Sequence, residues 1–382
     1  MEEFGKLEER VVLVGVQTDD HDNVEESLDE LKELASTAGA VTVGRIIQNR
    51  ESVHPGTYIG KGKIEEVRAL VYAMDATGII CDDELSPAQL NNLERELDCK
   101  VMDRTLLILD IFAARAITSE GKIQVELAQL RYRSARLVGL RESLSRLGGG
   151  IGTRGPGEKK LETDRRLIRT RISALKQELS QVEKHRELIR SSRARGNMKT
   201  AAIVGYTNAG KSTLLNTLTG SEVLSEDKLF ATLDPTTRSF TLADGQQILL
   251  TDTVGFINKL PHHLVEAFKS TLEEARYCDI VLNVVDCSDP QMDMHMHVVK
   301  ETLRELGITD KTVVTVFNKT DKLEESGLPI PRDFSADYQV RISAKCGDGL
   351  HELEEILGIS FAAGEFIWKR CILIHRQESC RA

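Results

Sequence analysis

One stretch constrains the fold of this 382-residue chain more than any other. The apolar run 201–204 leads into Gly205-Tyr-Thr-Asn-Ala-Gly210-Lys211-Ser212, which fits the pattern G-x-x-x-x-G-K-[ST]. Leucines continue at helical spacing, so the stretch predicts a strand, a tight loop and a helix. In such a loop, backbone N–H groups, the lysine ammonium and the helix N-terminus face phosphate oxygens. We therefore predict a phosphate-binding loop (P-loop) of Gly205, Tyr206, Thr207, Asn208, Ala209, Gly210, Lys211 and Ser212.

Further motifs follow in the order that a guanine-nucleotide site requires. Asp252-Thr-Val-Gly255 ends a predicted strand, where Asp252 can hold Mg²⁺ through water and the Gly255 N–H can contact a γ-phosphate. The Asp321 carboxylate can accept bonds from N1–H and N2–H₂ of guanine, a pair that adenine does not offer. GTP and GDP are the expected ligands. The nucleotide-binding residues predicted from these motifs are Asp252, Thr253, Val254, Gly255, Asn318, Lys319, Thr320, Asp321, Ser343, Ala344 and Lys345.

A loop that can fold over the phosphates is expected between the first helix and the second strand of this domain. It consists of Phe230, Ala231, Thr232, Leu233 and Asp234. Thr232 is our predicted second protein ligand to Mg²⁺ beside Ser212, with Thr236 and Thr237 as alternatives. Lys211, Thr232 and Gly255 are the predicted catalytic groups.

Phe256 occupies the position where many such GTPases carry a glutamine that orients the attacking water. A phenyl ring neither donates nor accepts a hydrogen bond, so we expect slow intrinsic hydrolysis. Other groups or a partner are then needed to position the water. The alternative is that Phe256 only packs and that another residue substitutes.

Hydrophobic spacing predicts an α/β protein with a small N-terminal α/β domain over residues 1–120. Its expected strands are 11–16, 41–47, 78–81 and 100–102, and its helices are 24–38, 62–74 and 86–98. Within it, Tyr58-Ile-Gly-Lys-Gly-Lys63 precedes a helix, and we favour a turn there over an anion site.

Residues 198–358 predict a P-loop GTPase domain (G domain) with a doubly wound, mostly parallel sheet. After the P-loop helix, its expected strands are 239–242, 248–251, 280–285, 313–317 and 339–342, and its helices are 262–277, 291–306 and 349–357. The first two of these strands are expected to form a hairpin. Residues 359–382 show no period and form an unpatterned tail.

Between these domains, residues 121–197 predict an antiparallel helical hairpin. Apolar residues recur every seven positions in 122–147 and in 158–195, as in helices that pack on each other. The glycine-rich connection, 148–157, is longer than the roughly two to five residues of a short helix–helix turn. With Arg154, Lys159 and Lys160 beside it, we expect a basic tip that contacts a partner.

Charge is segregated along the chain. The net charge is −10, yet residues 1–120 carry 12 Lys/Arg against 25 Asp/Glu, whereas residues 121–200 carry 20 against 8. An acidic protein with one strongly basic segment favours a polyanionic partner that meets this segment. A solvated helix surface is the alternative.

Several features together predict a cytoplasmic protein without a membrane span, which we expect to be a monomer. No window approaches the roughly 18 uninterrupted apolar residues of a membrane-spanning helix. The N-terminus is acidic and lacks an apolar secretory core. The seven cysteines form no C-x-x-C pair, so reduced thiols are expected.

Together these motifs resemble the HflX family of ribosome-associated GTPases, within the Obg-like class of translation factors. The resemblance covers about residues 8–358, and the glycine-rich tip followed by Leu161-Glu-Thr-Asp-Arg-Arg166 is its most specific part. The other motifs that carry it are Tyr58-Ile-Gly-Lys-Gly-Lys63, Asp83-Glu-Leu-Ser-Pro-Ala-Gln-Leu90, Asp103-Arg-Thr-Leu-Leu-Ile-Leu-Asp-Ile-Phe112, Phe230-Ala-Thr-Leu-Asp-Pro-Thr-Thr-Arg238 and Asp252-Thr-Val-Gly-Phe256.

The resemblance implies an N-terminal α/β domain, a helical hairpin and a G domain, with Ser212 and Thr232 as Mg²⁺ ligands. It also implies GTP-dependent binding to the large (50S) ribosomal subunit and its rRNA, with the hairpin tip near the peptidyl-transferase region. Some members split stalled ribosomes under stress, and some are reported to bind ATP through the N-terminal part. Many members have a further C-terminal domain, where this chain has the segment beyond about 360.

We therefore expect a GTPase that binds the large subunit through its hairpin and acts in ribosome splitting, rescue or subunit assembly. The alternative is a GTPase that regulates a protein partner without ribosome dependence. A structural RNA-binding module with a vestigial nucleotide site is a third hypothesis, but it conflicts with intact Lys211, Ser212, Asp252 and Asp321.

Overall fold

The computed structural model describes residues 8–18, 23–147, 156–195, 198–220, 229–260, 272–326 and 332–363. Predictions about residues 148–155 at the hairpin tip, including Arg154, lie outside the described residues. So do those about 262–271 in an expected helix and about 364–382 in the tail.

The N-terminal domain is a four-stranded parallel sheet in the order β2-β1-β3-β4, as its alternating pattern predicts. Strong helix caps fix the turns: Ser86 and Gln89 form a capping box, and Pro87 occupies the first turn. The elements are β1 Glu9–Gln17, α1 Val24–Thr37, β2 Ala40–Asn49, α2 Lys61–Ala73, β3 Gly78–Cys81, α3 Pro87–Leu97, β4 Lys100–Asp103 and α4 Arg104–Arg115.

Helix α4 is an element that the strand–helix alternation did not predict. It begins directly after β4 because Asp103 is its N-cap and accepts a hydrogen bond from Leu106 N at 2.9 Å. Five of its apolar residues, among them Ile108 and Phe112, are at most 2% exposed. The run is apolar on nearly every side, so helical periodicity is weak there.

The predicted helical hairpin is present, with α5 at Ser119–Leu147 and α6 at Pro156–Arg195. The seven-residue spacing predicted both helices, but α5 also packs on the N-terminal domain. Val125, Ala128 and Tyr132 belong to the same buried cluster as Phe112 of α4. The first half of α5 is therefore packed against the N-terminal domain.

The G domain has a six-stranded sheet in the order β10-β9-β8-β5-β7-β6, parallel except for the β6–β7 hairpin. The predicted doubly wound sheet is thus confirmed, and residues 272–277 of the expected helix 262–277 are helical. The elements are β5 Lys199–Gly205, α7 Lys211–Thr219, β6 Thr236–Thr241, β7 Gln247–Asp252, β8 Ile280–Asp286, α8 Met292–Glu305, β9 Thr312–Asn318, α9 Thr320–Ser326, β10 Tyr338–Arg341 and α10 Leu350–Ala363.

Two helices of the G domain differ from the prediction. Helix α9 follows β9 directly and was not predicted, because its seven residues are too few to show a period. Helix α10 continues past the expected domain end at 358 to Ala363. It does so because Phe361 is buried in the cluster beneath the sheet, so residues 359–363 are not part of an unpatterned tail.

Candidate nucleotide-binding site

The P-loop joins the end of β5 to the start of α7, and its two glycines are required by close approach. Gly205 and Gly210 have φ of 151° and 94°. A Cβ at Gly205 would collide with the Val284 carbonyl oxygen, and one at Gly210 with the Asn318 side-chain amide. Only glycine lets the loop curl this tightly between β8 and β9.

Lys211, the first residue of α7, is folded into the loop. Its side chain is buried, and its ammonium donates to the Tyr206 carbonyl oxygen at 2.7 Å. Burial lowers the pKa of Lys211 from 10.5 to about 8, although Asp252 acts in the opposite direction. A buried cation with one carbonyl partner is suited to receiving the negative charge of a phosphate.

Three predicted Mg²⁺-related groups meet beside the P-loop. Ser212 Oγ lies 2.8 Å from Thr232 Oγ1 and 2.6 Å from Asp252 Oδ2. Asp252 is fully buried, its Oδ1 has no hydrogen-bond partner among the described residues, and burial raises its pKa. Hydroxyl and carboxylate oxygens are the ligands that Mg²⁺ prefers, so this donor set fits the ion. Thr236 and Thr237, the alternatives, lie in strand β6.

One small cavity of about 60 Å³ brings the P-loop and both switch segments (230–234 and 252–256) together. Gly255 packs so closely that a Cβ there would lie 2.9 Å from Thr207 Cα and 3.0 Å from Lys211 Nζ. The backbone of Gly255 is therefore next to the phosphate position. The predicted site residues that line the cavity are Thr207, Asn208, Gly210, Lys211, Ser212, Phe230, Ala231, Thr232, Thr253 and Gly255.

The predicted base pocket is assembled by Asn318. Its Nδ2 donates to the Ala209 carbonyl oxygen at 2.9 Å, and its Oδ1 accepts from Ala344 N at 2.9 Å. This buried side chain thus ties the P-loop to the loop after β10. Ser343 Oγ donates to Asp321 Oδ1 at 2.7 Å, which orients the carboxylate expected to read guanine.

Other predicted residues use their side chains elsewhere. Leu233 lies in the buried cluster shared with the N-terminal domain. Asp234 accepts hydrogen bonds from the backbone N–H groups of Ile117 and Thr118, at 2.8 and 2.9 Å, and so holds the start of α5. Any contact between these two residues and a nucleotide therefore involves the backbone.

Phe256 is 1% exposed and packs in that same apolar cluster. Its backbone is paired with the P-loop, because its N–H donates to Gly205 O and its carbonyl accepts from Thr207 N. The packing alternative for Phe256 thus describes its side chain correctly.

A polar network between the two domains was missed from the sequence. Lys259, four residues after Gly255, donates to Asp82 and Asp83 at the end of β3. Tyr206 of the P-loop donates to Glu30 of α1 and accepts from Asn258 N. The Asp82-Asp83 pair at the end of a buried strand was the one available signal, since such strand ends commonly carry functional groups.

The described residues contain no group of three or more His, Cys, Asp or Glu side chains placed to hold a metal ion. None of the helices in that part of the chain combines the length and apolar character that a membrane crossing requires.

Comparison with known proteins identifies three family regions. Residues 25–113 match the family described as GTP-binding GTPase N-terminal, and residues 115–193 match its middle region. Residues 200–319 match the family described as 50S ribosome-binding GTPase. These regions follow the division into N-terminal domain, hairpin and G domain.

Individual relatives agree over nearly the whole chain. GTPase HflX of Lacrimispora saccharolytica is 70% identical over 355 residues, which cover 93% of this chain and 84% of that protein. GTPase HflX of Escherichia coli is 46% identical over 351 residues, covering 91% and 82%. The crystal structure of SsGBP in complex with GDP aligns with a TM-score of 0.50 and 26% identity, covering 93% of this chain and 99% of that one. The chain therefore belongs to the HflX family and is a P-loop GTPase that binds and hydrolyses GTP.

Proposed function

We propose that this GTPase associates with the large ribosomal subunit through its helical hairpin, in the cytoplasm and as a monomer. The observation that carries the proposal is the basic hairpin joined to a G domain of the 50S ribosome-binding family. Arg166, Arg169, Lys176 and Lys184 of α6 are exposed to solvent. Such a surface is suited to RNA phosphates, and its binding should weaken steeply as salt rises.

The same proposal assigns roles around the nucleotide. Ser212 and Thr232 would hold Mg²⁺ directly and Asp252 through water; the ion, when bound, neutralises phosphate charge. Lys211 contacts the β- and γ-phosphates, and the Gly255 N–H contacts the γ-phosphate. Asn318 shapes the base pocket and Asp321 accepts from guanine. Support comes from the distances of 2.6–2.9 Å that bring these groups together.

GTP would then order the segment containing Thr232 and the segment containing Gly255, and hydrolysis would release them. Because Phe256 is buried, the water must be oriented by another group. We propose that docking on the subunit supplies it, so that hydrolysis and release are coupled. In this scheme the protein acts in ribosome splitting or rescue under stress, or in subunit assembly.

The test is the GTP hydrolysis rate of the purified chain with and without large ribosomal subunits, at several salt concentrations. We expect strong stimulation that falls with salt. Deleting 149–157, or combining Arg166→Gln with Arg169→Gln, should leave GTP binding intact and reduce stimulation. The matched control combines Lys100→Gln with Arg304→Gln, exposed basic residues outside the hairpin.

The outcomes separate the two functions. Stimulation lost only in the hairpin variants supports ribosome binding through the hairpin. Stimulation that survives the deletion removes the tip as the sensor. An unstimulated rate, with partner binding only mildly sensitive to salt, supports a protein partner instead.

A further inference from the structure

A second cavity, of about 190 Å³, lies on the other side of the P-loop from the Mg²⁺ ligands. Its walls are α1 of the N-terminal domain, P-loop residues 206–209, the end of β8 and the first half of α8. It shares only Thr207 and Asn208 with the phosphate cavity. The phosphate-binding and base-pocket assignments therefore leave most of this cavity without a role.

The wall of this cavity is acidic. Six of its lining residues are Asp or Glu, and none is Lys or Arg in the described part of the chain. Three of the carboxylates are neutralised from outside, by ion pairs that join Asp29 to Arg45, Glu30 to Arg104 and Asp286 to Lys319.

Negative charge remains on Glu26 and Asp289. Glu26 forms no ion pair with a described residue. Asp289 lies 3.7 Å from His295, but burial lowers the pKa of that histidine, so it is largely uncharged at neutral pH. The cavity thus has an excess of negative charge that a bound cation would offset.

Two buried side-chain oxygens in the same wall accept no hydrogen bond from the part of the chain that the structure describes. Asn283 is 2% exposed and Thr207 is 6% exposed, yet neither Asn283 Oδ1 nor Thr207 Oγ1 has a partner among the described residues. An unpaired buried acceptor destabilises the protein, because no hydrogen bond offsets its loss of contact with water. Both residues line the cavity, so a ligand with N–H donors would satisfy them.

The remaining features select an organic cation over a metal ion. The described carboxylates do not converge in a group that can hold a metal. Instead they line a cavity that also has an aromatic wall. There the rings of Tyr206 and His295 stack with their centroids 3.8 Å apart. An aromatic face attracts ammonium groups and packs on methylene chains. The volume is below the roughly 300–1,000 Å³ of drug-sized sites, so the ligand is small and slender.

We propose that this cavity binds a small linear alkylammonium ion of the polyamine class between α1 and the P-loop. Its ammonium groups pair with the carboxylates that include Glu26 and Asp289, and one donates to Asn283 Oδ1. Thr207 and Asn208 separate this ligand from the phosphate cavity. The ligand would therefore contact the side of the P-loop that faces away from the phosphates.

The test is calorimetric titration of the nucleotide-free chain with spermidine at fixed ionic strength. We expect one equivalent to bind. Glu26→Gln and Asn283→Leu, which remove one charge and one acceptor with little change in size, should weaken binding about tenfold or more. Glu25→Gln is the matched control, because Glu25 is exposed on the same turn of α1 and does not line the cavity.

Equal affinity in all four proteins would mean that spermidine is attracted only to the acidic surface, and the proposal fails. It also fails if no heat of binding is seen, or if Mg²⁺ occupies the site as well as spermidine does. Circular dichroism establishes that each variant is folded. Should Asn283→Leu not fold, Glu26→Gln against Glu25→Gln decides the question alone.

Discussion

Lys259 Nζ lies 2.6 Å from Asp82 Oδ2, which joins the segment after Asp252-Thr-Val-Gly255 to the N-terminal domain. The same ammonium donates to Asp83 Oδ1 at 2.8 Å. The Asp82 side chain is 1% exposed, so this charge-assisted contact is made largely away from water. Asp82 also accepts from Arg104 at 2.8 Å and from Ser27 at 2.7 Å. One buried carboxylate therefore connects the segment that follows Gly255 with α1 and α4.

Removing the ammonium should destabilise the protein. Lys259→Ala leaves Asp82 buried with one hydrogen bond fewer, and we expect a loss of about 1–3 kcal/mol in the free energy of unfolding. The loss stays moderate because Arg104 and Ser27 remain. Urea unfolding followed by circular dichroism measures it. Lys100→Ala is the control, since its pair with Glu9 is half-exposed and should contribute under about 1 kcal/mol. Equal losses in the two variants would show that the Asp82 contact contributes no more than a surface pair.

Nucleotide affinity should depend on pH through Lys211. Its pKa is lowered to about 8 in the nucleotide-free protein, and a bound phosphate raises it again. Above about pH 8, binding must therefore take up a proton, so GDP affinity should fall with pH, approaching tenfold per pH unit. Fluorescence titration with a labelled GDP between pH 7 and 9 measures this fall.

The stability of the folded chain should depend on pH in the opposite direction. Between pH 8 and 10.5 the unfolded chain holds the Lys211 proton more tightly than the folded chain, so this group's contribution to stability rises with pH.

Lys211→Arg is the control for the binding prediction, because arginine stays charged and the GDP affinity of this variant should not change with pH. Calorimetry of the wild type in two buffers of different ionisation enthalpy gives the proton uptake independently. An uptake near zero at pH 8.5 contradicts the prediction.

The sequence predicted the G domain well because each of its motifs requires a particular strand end. The carboxyl edge of the sheet carries the P-loop, Asp252, Asn318 and Ser343. There the structure brings Ser212 within hydrogen-bond distance of Thr232 and Asp252. Glycine positions were equally informative, since Gly205 and Gly210 adopt backbone angles that other residues avoid.

Contacts between domains were not predictable in this way. Lys259 pairs with residues 176 and 177 positions earlier in the chain, and no local pattern specifies a partner at that distance. Asp234 illustrates the same limit, because its motif indicates a switch loop while its carboxylate bonds to the start of α5. Periodicity also failed for α4, which is buried on several sides.

Guanine selectivity should depend on Asp321. In Asp321→Asn one carboxylate oxygen becomes an NH₂ group, which repels the guanine N2–H₂ donor but can donate to the carbonyl of xanthine. We expect GDP affinity to fall more than about tenfold and xanthosine diphosphate affinity to rise. Ser343→Ala, which removes the 2.7 Å bond that orients this carboxylate and the 3.2 Å bond accepted from Cys346 N, should weaken GDP binding less and without a change of base preference. Competition binding with the two diphosphates measures both. Unchanged GDP affinity in Asp321→Asn contradicts the base-pocket assignment.

Replacing Phe256 by glutamine should not accelerate GTP hydrolysis. The backbone of Phe256 is held against Gly205 and Thr207, and this directs the side chain into the apolar cluster, 1% exposed. Phe256→Gln therefore buries an amide and removes a ring, which should lower the free energy of unfolding by about 3–5 kcal/mol. Phe256→Leu keeps the site apolar and should cost only about 1 kcal/mol.

Single-turnover GTP hydrolysis without any partner, together with thermal unfolding, tests this expectation. Both variants should hydrolyse GTP no faster than the wild type at a temperature where they are folded. A faster Phe256→Gln would mean that the glutamine reaches the attacking water. In that case the segment 256–260 leaves the cluster when GTP binds, and its contact with the N-terminal domain through Lys259 must break in the same step.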